Sequence, residues 1–288
     1  MQLLDLRHLG RERVVASYVD AGDEPAVVDC GPASCLDALR AGLAAHGVEV
    51  EELRHVVLTH IHLDHAGAAG LLVRENPRLL VHVSDVGAPH LVDPSRLERS
   101  ARRLYGDDFD RLWGPLVPVP AENVRVLGDR VLGLEAFPTP GHASHHVSFL
   151  TPQGDCLAGD AAGVRIVPGR YVAPVAPPPD IDVEAWERTL DAIEARRPRR
   201  LLLPHFGVVA DPDEHVDEVR RALALWAERA RTGTEEEFVR AAEADLRAAD
   251  EAGTVDAYQR AGPFSQSYAG LRRYWDKREE AAASSATV

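Results

Sequence analysis

The chain has 288 residues, 45% of them hydrophobic and 27% charged, which suits a large globular domain with a sizeable core. Its net charge of −14 repels polyphosphate backbones, so nucleic-acid partners are excluded and a small, neutral or weakly charged substrate is favoured. Residues 1–20 carry no basic stretch leading into an apolar run, and no window approaches the ~20 apolar residues that span a bilayer; a cytoplasmic protein with no membrane partner is expected. In chain order, strands over 13–19 and 26–29 flank the turn-forming segment Ala21-Gly22-Asp23-Glu24-Pro25. A helix over 34–46 follows, with Leu36, Leu39 and Leu43 at helical spacing. Residues 55–59 form a buried strand, 66–74 a helix and 78–84 a strand. Further strands are expected at 125–127, 134–139, 147–151, 155–159 and 201–204, which argues for sheets covered by helices. The segment 165–180, with its Pro177-Pro178-Pro179 run, reads as a surface loop. From 182 onward the pattern is helical: 183–196, 212–232, 234–250 and 258–277, ending in a disordered tail over 281–288. Cys30, Cys35 and Cys156 form no CxxC pair and read as buried thiols.

The chemistry concentrates in Thr59-His60-Ile61-His62-Leu63-Asp64-His65, three imidazoles and a carboxylate at the exit of a buried strand. In extended chain His60 and His62 point to one side, so both reach one ion, while Asp64 and His65 fall where a helix begins and face a second. His142 in Pro138-Thr139-Pro140-Gly141-His142, Asp160 in Leu157-Ala158-Gly159-Asp160 and His205 in Leu203-Pro204-His205 each follow an apolar run beside Gly or Pro. Five histidines and two aspartates are too many for one catalytic zinc, which takes about three protein ligands and keeps a position for water.

These residues, in this order, resemble the metallo-β-lactamase superfamily, including its glyoxalase II and lactonase branches, over about residues 14–207. The resemblance implies an α/β fold, a four-layer αββα sandwich in residues 1–210, with a helical extension over 211–280 packed on it. It also implies that His60, His62 and His142 hold one metal, that Asp64, His65 and His205 hold the other, and that Asp160 bridges them. Imidazole and carboxylate without thiolate suit zinc first, then iron or manganese. Asp29 matches a strand-end aspartate of the family that fixes the loop bearing His60 and His62 through hydrogen bonds. His146 matches a position near the metals but not on them. This chain carries Ala143 and His145 where the glyoxalase II pattern has Thr and Gly.

The function so implied is hydrolysis of an ester-like bond in a small molecule, a lactone or thioester first, by a hydroxide shared between the two metals, with Asp64 and Asp160 as the catalytic carboxylates. The alternatives are a mononuclear-iron dioxygenase of the same superfamily and a phosphodiester hydrolase. Tyr105, Trp113, Tyr171 and Phe206 are candidate pocket residues, and Arg74, Arg165 and Arg170, the cations nearest the motifs in sequence, read as solvated charges. His55, His82, His90 and His215 read as ordinary histidines. The C-terminal apolar stripes, Phe238 with Leu246 and Tyr268 with Leu271 and Trp275, need a partner surface, the active-site face or a second copy of the chain; a homo-oligomer is left open.

Overall fold

A computed structural model describes residues 1–249 and 254–286. They fall into two units, Met1–Phe137 with His145–Pro152, and Pro138–Ser144 with Gln153–Val288. In the first unit, β1 (Gln2–Asp5), β2 (Ala16–Asp20), β3 (Ala26–Val28), β4 (His55–Val57), β5 (Leu80–Val83) and β6 (Val124–Val126) lie in that order in one mixed sheet. The first three pair antiparallel and the last four parallel. Parallel neighbours need crossovers, and these are α1 (Leu36–Ala45) after β3, then α2 (Leu63–Ala66) and α3 (Ala69–Glu75) after β4. Leu39 and Leu43 of α1 join Val27, Val56, Leu58, Leu72 and Val81 in one buried cluster, and the central strands β3 and β4, covered on both faces, carry Val27, Val28, Val56 and Val57 without polar alternation. Three helices with no counterpart among the sequence expectations, α4 (Ala88–Val92), α5 (Ser95–Tyr105) and α6 (Phe109–Trp113), lie between β5 and β6. Also in this unit β7 (Arg130–Val131), β8 (Leu134–Pro138) and β9 (Val147–Leu150) lie side by side.

In the second unit β10 (Asp155–Leu157) pairs parallel with β11 (Arg200–Leu203), α7 (Val183–Ala195) making the crossover, and β12 (Gly207–Val209) returns antiparallel to β11. Four helices follow: α8 (Pro212–Thr232), α9 (Glu235–Ala249), α10 (Thr254–Ala261) and α11 (Phe264–Ala286). A capping box opens α9, where Thr234 and Glu237 exchange side-chain to backbone hydrogen bonds of 2.9 and 3.3 Å. The single helix expected over 258–277 is two, because Gly262-Pro263 interrupts it: proline has no N–H to donate. The expected disordered tail is helical as far as Ala286, since its alanines favour continuing α11; residues 287–288 lie outside the described residues.

The apolar stripes find their partners inside this unit. Trp226 of α8 meets Phe238 of α9 edge-on at 5.1 Å and Phe264 of α11 at 5.2 Å, and Leu246 and Leu271 are fully buried. The segment 165–180 is not a solvated loop either. Val172, Ala173, Val175 and Ala176 are buried, and hydroxyls from the helices satisfy its backbone. Tyr258 bonds Ile166 N at 3.1 Å and Tyr171 O at 2.6 Å, and Ser267 accepts from Ala176 N at 3.2 Å. Among the described residues no helix is long and apolar enough to cross a membrane.

Candidate metal centre

Parallel strands bring their carboxyl ends to one edge of a sheet, where ligands are ordinarily bound. In the first unit Asp29 follows β3, Thr59 and His60 follow β4, and Ser84 follows β5. Asp29, held at φ 54°, accepts from Thr59 N and from Thr59 Oγ1, each at 2.8 Å, and from His65 Nδ1 at 2.8 Å. Because Thr59 Oγ1 gives its proton to Asp29, it accepts from His60 Nδ1, 3.0 Å away. Asp29 therefore sets the tautomers of two histidines at once, leaving Nε2 of His60 and of His65 as donor atoms to an ion. It secures Thr59 and His65 rather than His60 and His62 directly. His60 Nε2 lies 3.0 Å from His62 Nδ1, and His65 Nε2 lies 3.7 Å from Asp64 Oδ1. The four motif residues thus lie in one cluster, in which the His60 ring is also 4.0 Å from the His65 ring. His145 and His146 belong to the same unit: His146 is 4.9 Å from the His60 ring, and His145 stacks on it at 6.1 Å and meets His62 edge-on at 5.6 Å.

In the second unit a turn of 3-10 helix, Gly159–Ala162, carries Asp160 off the end of β10, and His205 follows β11. His142 Nδ1–H donates to Val175 O at 2.6 Å, so its Nε2 is the nitrogen left to face an ion. The carboxylate of Asp160 divides its oxygens: Oδ2 is 3.4 Å from His142 Nε2 and Oδ1 is 3.5 Å from His205 Nε2. These distances are long for N–H···O bonds. They fit two atoms sharing a tetrahedral ion, since ligands ~2.0–2.1 Å from zinc stand about 3.3 Å apart. The three residues are almost fully buried, and a buried carboxylate facing two imidazoles is the chemistry that a pair of divalent cations satisfies.

The remaining candidates resolve individually. Arg165 is not a solvated charge. Its side chain bonds Asp211 at 3.0 Å and Gly169 O at 3.0 Å, and its N–H bonds His205 O at 2.9 Å. Tyr171 packs edge-on against Tyr258 and bonds Ala242 O, a core role; Tyr105 and Trp113 pack on the cluster of Leu63, Ala101 and Phe109. His90, half-buried, lines a small apolar cavity with Ile61, Leu63 and Leu97. His55 and His82 bond each other at 3.0 Å, His55 at the opposite end of β4 from His60, and burial lowers the pKa of His82 to about 4. All three cysteines are buried, and burial raises the thiols of Cys30 and Cys35. His215 is the residue that sequence reasoning passed over: it is fully buried and bonds Ala162 O at 2.8 Å, two residues past Asp160. No sequence signal near it separates it from a surface histidine on α8.

The sequence profile described as the metallo-beta-lactamase superfamily matches residues 9–205, about two thirds of the chain and all seven motif residues. The chain belongs to the metallo-β-lactamase superfamily. The superfamily consists mostly of metal-dependent hydrolases. The chain is 32% identical over 124 residues to the uncharacterised protein YobT of Bacillus subtilis, a match spanning 39% of this chain and 48% of YobT, so about half of that relative's length. It is 27% identical over 181 residues to ST1585 of Sulfurisphaera tokodaii, a metallo-β-lactamase fold-containing protein, across 59% of this chain and 67% of the relative. The crystal structure of ST1585 superposes with a TM-score of 0.62 over 90% of this chain and 93% of its own. TTHA1623, solved in a di-iron-bound form, is 24% identical with a TM-score of 0.53 over 76% of this chain and 93% of its own. These likenesses establish the metallo-β-lactamase fold, with mixed sheets and helices and a helical C-terminal region, as the sequence predicts.

Proposed function

We propose that the protein is a binuclear metal-dependent hydrolase of ester-like bonds in small molecules, lactones or thioesters first, acting in the cytoplasm. His60, His62 and His142 hold one ion in this reading, Asp64, His65 and His205 the other, and Asp160 joins the two. The observation that carries it is Asp160, whose carboxylate oxygens each face a different imidazole at ligand-to-ligand distance. The closeness of His60 to His62 and of Asp64 to His65, within one cluster of the four, supports it further. Zinc is the first choice of metal, with iron or manganese as alternatives.

When bound, two divalent ions lower the pKa of water to ~7 and polarise a carbonyl. The chain's own part is to hold the donor atoms rigid, through Asp29 and Val175, and to handle protons. Asp64 is the more exposed carboxylate, its side chain 18% accessible against 3% for Asp160, so Asp64 passes the proton of the attacking water towards solvent. Carbonyl substrates are favoured over phosphodiesters because the net charge is −14 and Arg165, a cation beside His205, already has its guanidinium engaged by Asp211.

The test joins metal analysis to turnover. Wild-type protein should hold two ions per chain, and Asp160→Ala should lose most of both the metal and the activity. With matched lactone, thioester and phosphodiester substrates, kcat/KM should be highest for an acyl substrate. Phosphodiester turnover ~100-fold above both acyl substrates, about 2.7 kcal/mol of transition-state stabilisation, would overturn the substrate class. One iron per chain with oxygen consumption would overturn the hydrolase.

A further inference from the structure

We infer that Trp186 of α7 and His215 of α8 are positioning residues that set the orientation of Asp160 for metal binding; this rests on the reading of Asp160 as the ligand shared by two ions. The Gly159–Ala162 turn has the shape of a short 3-10 helix whose last carbonyls have no continuing helix to donate N–H groups to them. Two side chains from different helices take them instead. Trp186 Nε1–H donates to Ala161 O at 2.7 Å and His215 Nε2–H donates to Ala162 O at 2.8 Å. Both side chains are fully buried, at 0% exposure, so neither bond exchanges with water. The carbonyls of the two residues that follow Asp160 are thus pinned from two directions, which fixes the backbone from which its carboxylate projects.

Trp186 also reaches a second ligand. Its ring meets His142 edge-on at 5.7 Å, and its backbone packs so closely on Gly141 that a Cβ there would lie 2.4 Å from Trp186 Cα. Around it α7 is docked on the same turn: Thr189 Oγ1 donates to Pro140 O at 2.6 Å and Asp182 N to Gly141 O at 2.9 Å. One tryptophan therefore sets His142 and Asp160 relative to each other, the two donors that stand 3.4 Å apart. His215 braces the Asp160 side alone, from α8, whose start is tied in turn to Arg165 through Asp211. Partners bonded directly to a metal ligand are worth about 10–100-fold in metal affinity, and bracing through the backbone of the ligand's own turn is expected at the lower end of that range, whereas a merely structural hydrogen bond is worth stability alone.

Trp186→Phe removes the donor and keeps a ring, His215→Leu removes the donor, and His215→Gln keeps an N–H that can reach Ala162 O. Zinc affinity is measured by equilibrium competition with a chromogenic chelator, and thermal melting is followed for metal-free and zinc-loaded protein. The expected result is that Trp186→Phe and His215→Leu weaken zinc binding at least ~10-fold and shrink the zinc-induced rise in Tm, and that His215→Gln restores affinity to within ~3-fold of wild type. Wild type that binds two ions beside variants that bind zinc equally well, with only the metal-free Tm lowered, overturns this inference and leaves the function standing. Wild type that binds no divalent ion overturns both. Should His215→Leu fail to fold, Trp186→Phe and His215→Gln carry the test.

Discussion

Asp29 accepts three hydrogen bonds through one buried carboxylate and so serves ligands of both proposed ions, His60 through Thr59 and His65 directly. Asp29→Ala leaves three donors unsatisfied and should cost about 3 kcal/mol in urea unfolding, with weakened zinc binding; an unchanged midpoint would show that water replaces the carboxylate. Asn tolerates the left-handed backbone at this position, so Asp29→Asn should unfold less readily than Asp29→Ala while still losing zinc affinity. His215 makes a pH prediction. Burial lowers its pKa from 6.5 to about 4, so the unfolded chain binds a proton that the folded one refuses. Its contribution is fully present above pH 6.5 and is lost as the pH falls towards 4. Between pH 7 and pH 5 the metal-free protein should lose on the order of 1–2 kcal/mol through this group. His215→Gln should remove that part of the slope.

At the scale of the element, the Pro140-Gly141-His142 turn and α7 are one packed pair. Gly141 has φ 137°, and an added Cβ would lie 2.4 Å from both Cα and Cβ of Trp186. Gly141→Ala should therefore destabilise by several kcal/mol, about 2–4, and displace His142; a crystal structure or melting curve indistinguishable from wild type would refute the packing argument. The strands and crossover helices next to the ligands were legible because short runs of buried Val and Leu leave no amphipathic alternative. The helices α4, α5 and α6 were not. α4 and α6 have five residues each, and in α5 the apolar positions Leu97, Ala101, Leu104 and Tyr105 are outnumbered by charge, with four arginines at Arg96, Arg99, Arg102 and Arg103. Its helical spacing is real, and Leu97 and Tyr105 pack on Leu63 and Phe109, but a five-residue helix spans too little chain to show such a period.

Within the second unit, the helices α10 and α11 hold the segment that orients His142. Tyr258 and Ser267 satisfy its backbone, Gly270 approaches so closely that a Cβ would lie 1.9 Å from Ala176 O, and Val175 O between them accepts from His142. Removing residues 254–288 should expose the Trp226 and Phe238 rings, lower Tm and reduce zinc affinity together. Tyr258→Phe is the milder test. It deletes two buried hydrogen bonds and should cost about 1–3 kcal/mol, read as a Tm about 3–8 °C lower. A truncated chain that melts and binds zinc as the full one does would show the helices to be dispensable.

The sequence by itself determined the superfamily and named the seven candidate ligands, because metal chemistry requires particular side chains at particular steps along a strand. It also indicated Asp29. What only the tertiary structure decided is how those side chains are held. Tautomers are set by partners distant in sequence, such as Val175 for His142, and the bracing of Asp160 comes from Trp186 and His215, which no local spacing connects to it. Hydrogen bonds from a helix to a remote turn leave no periodic mark in the chain. They exist only once the core has brought the two together.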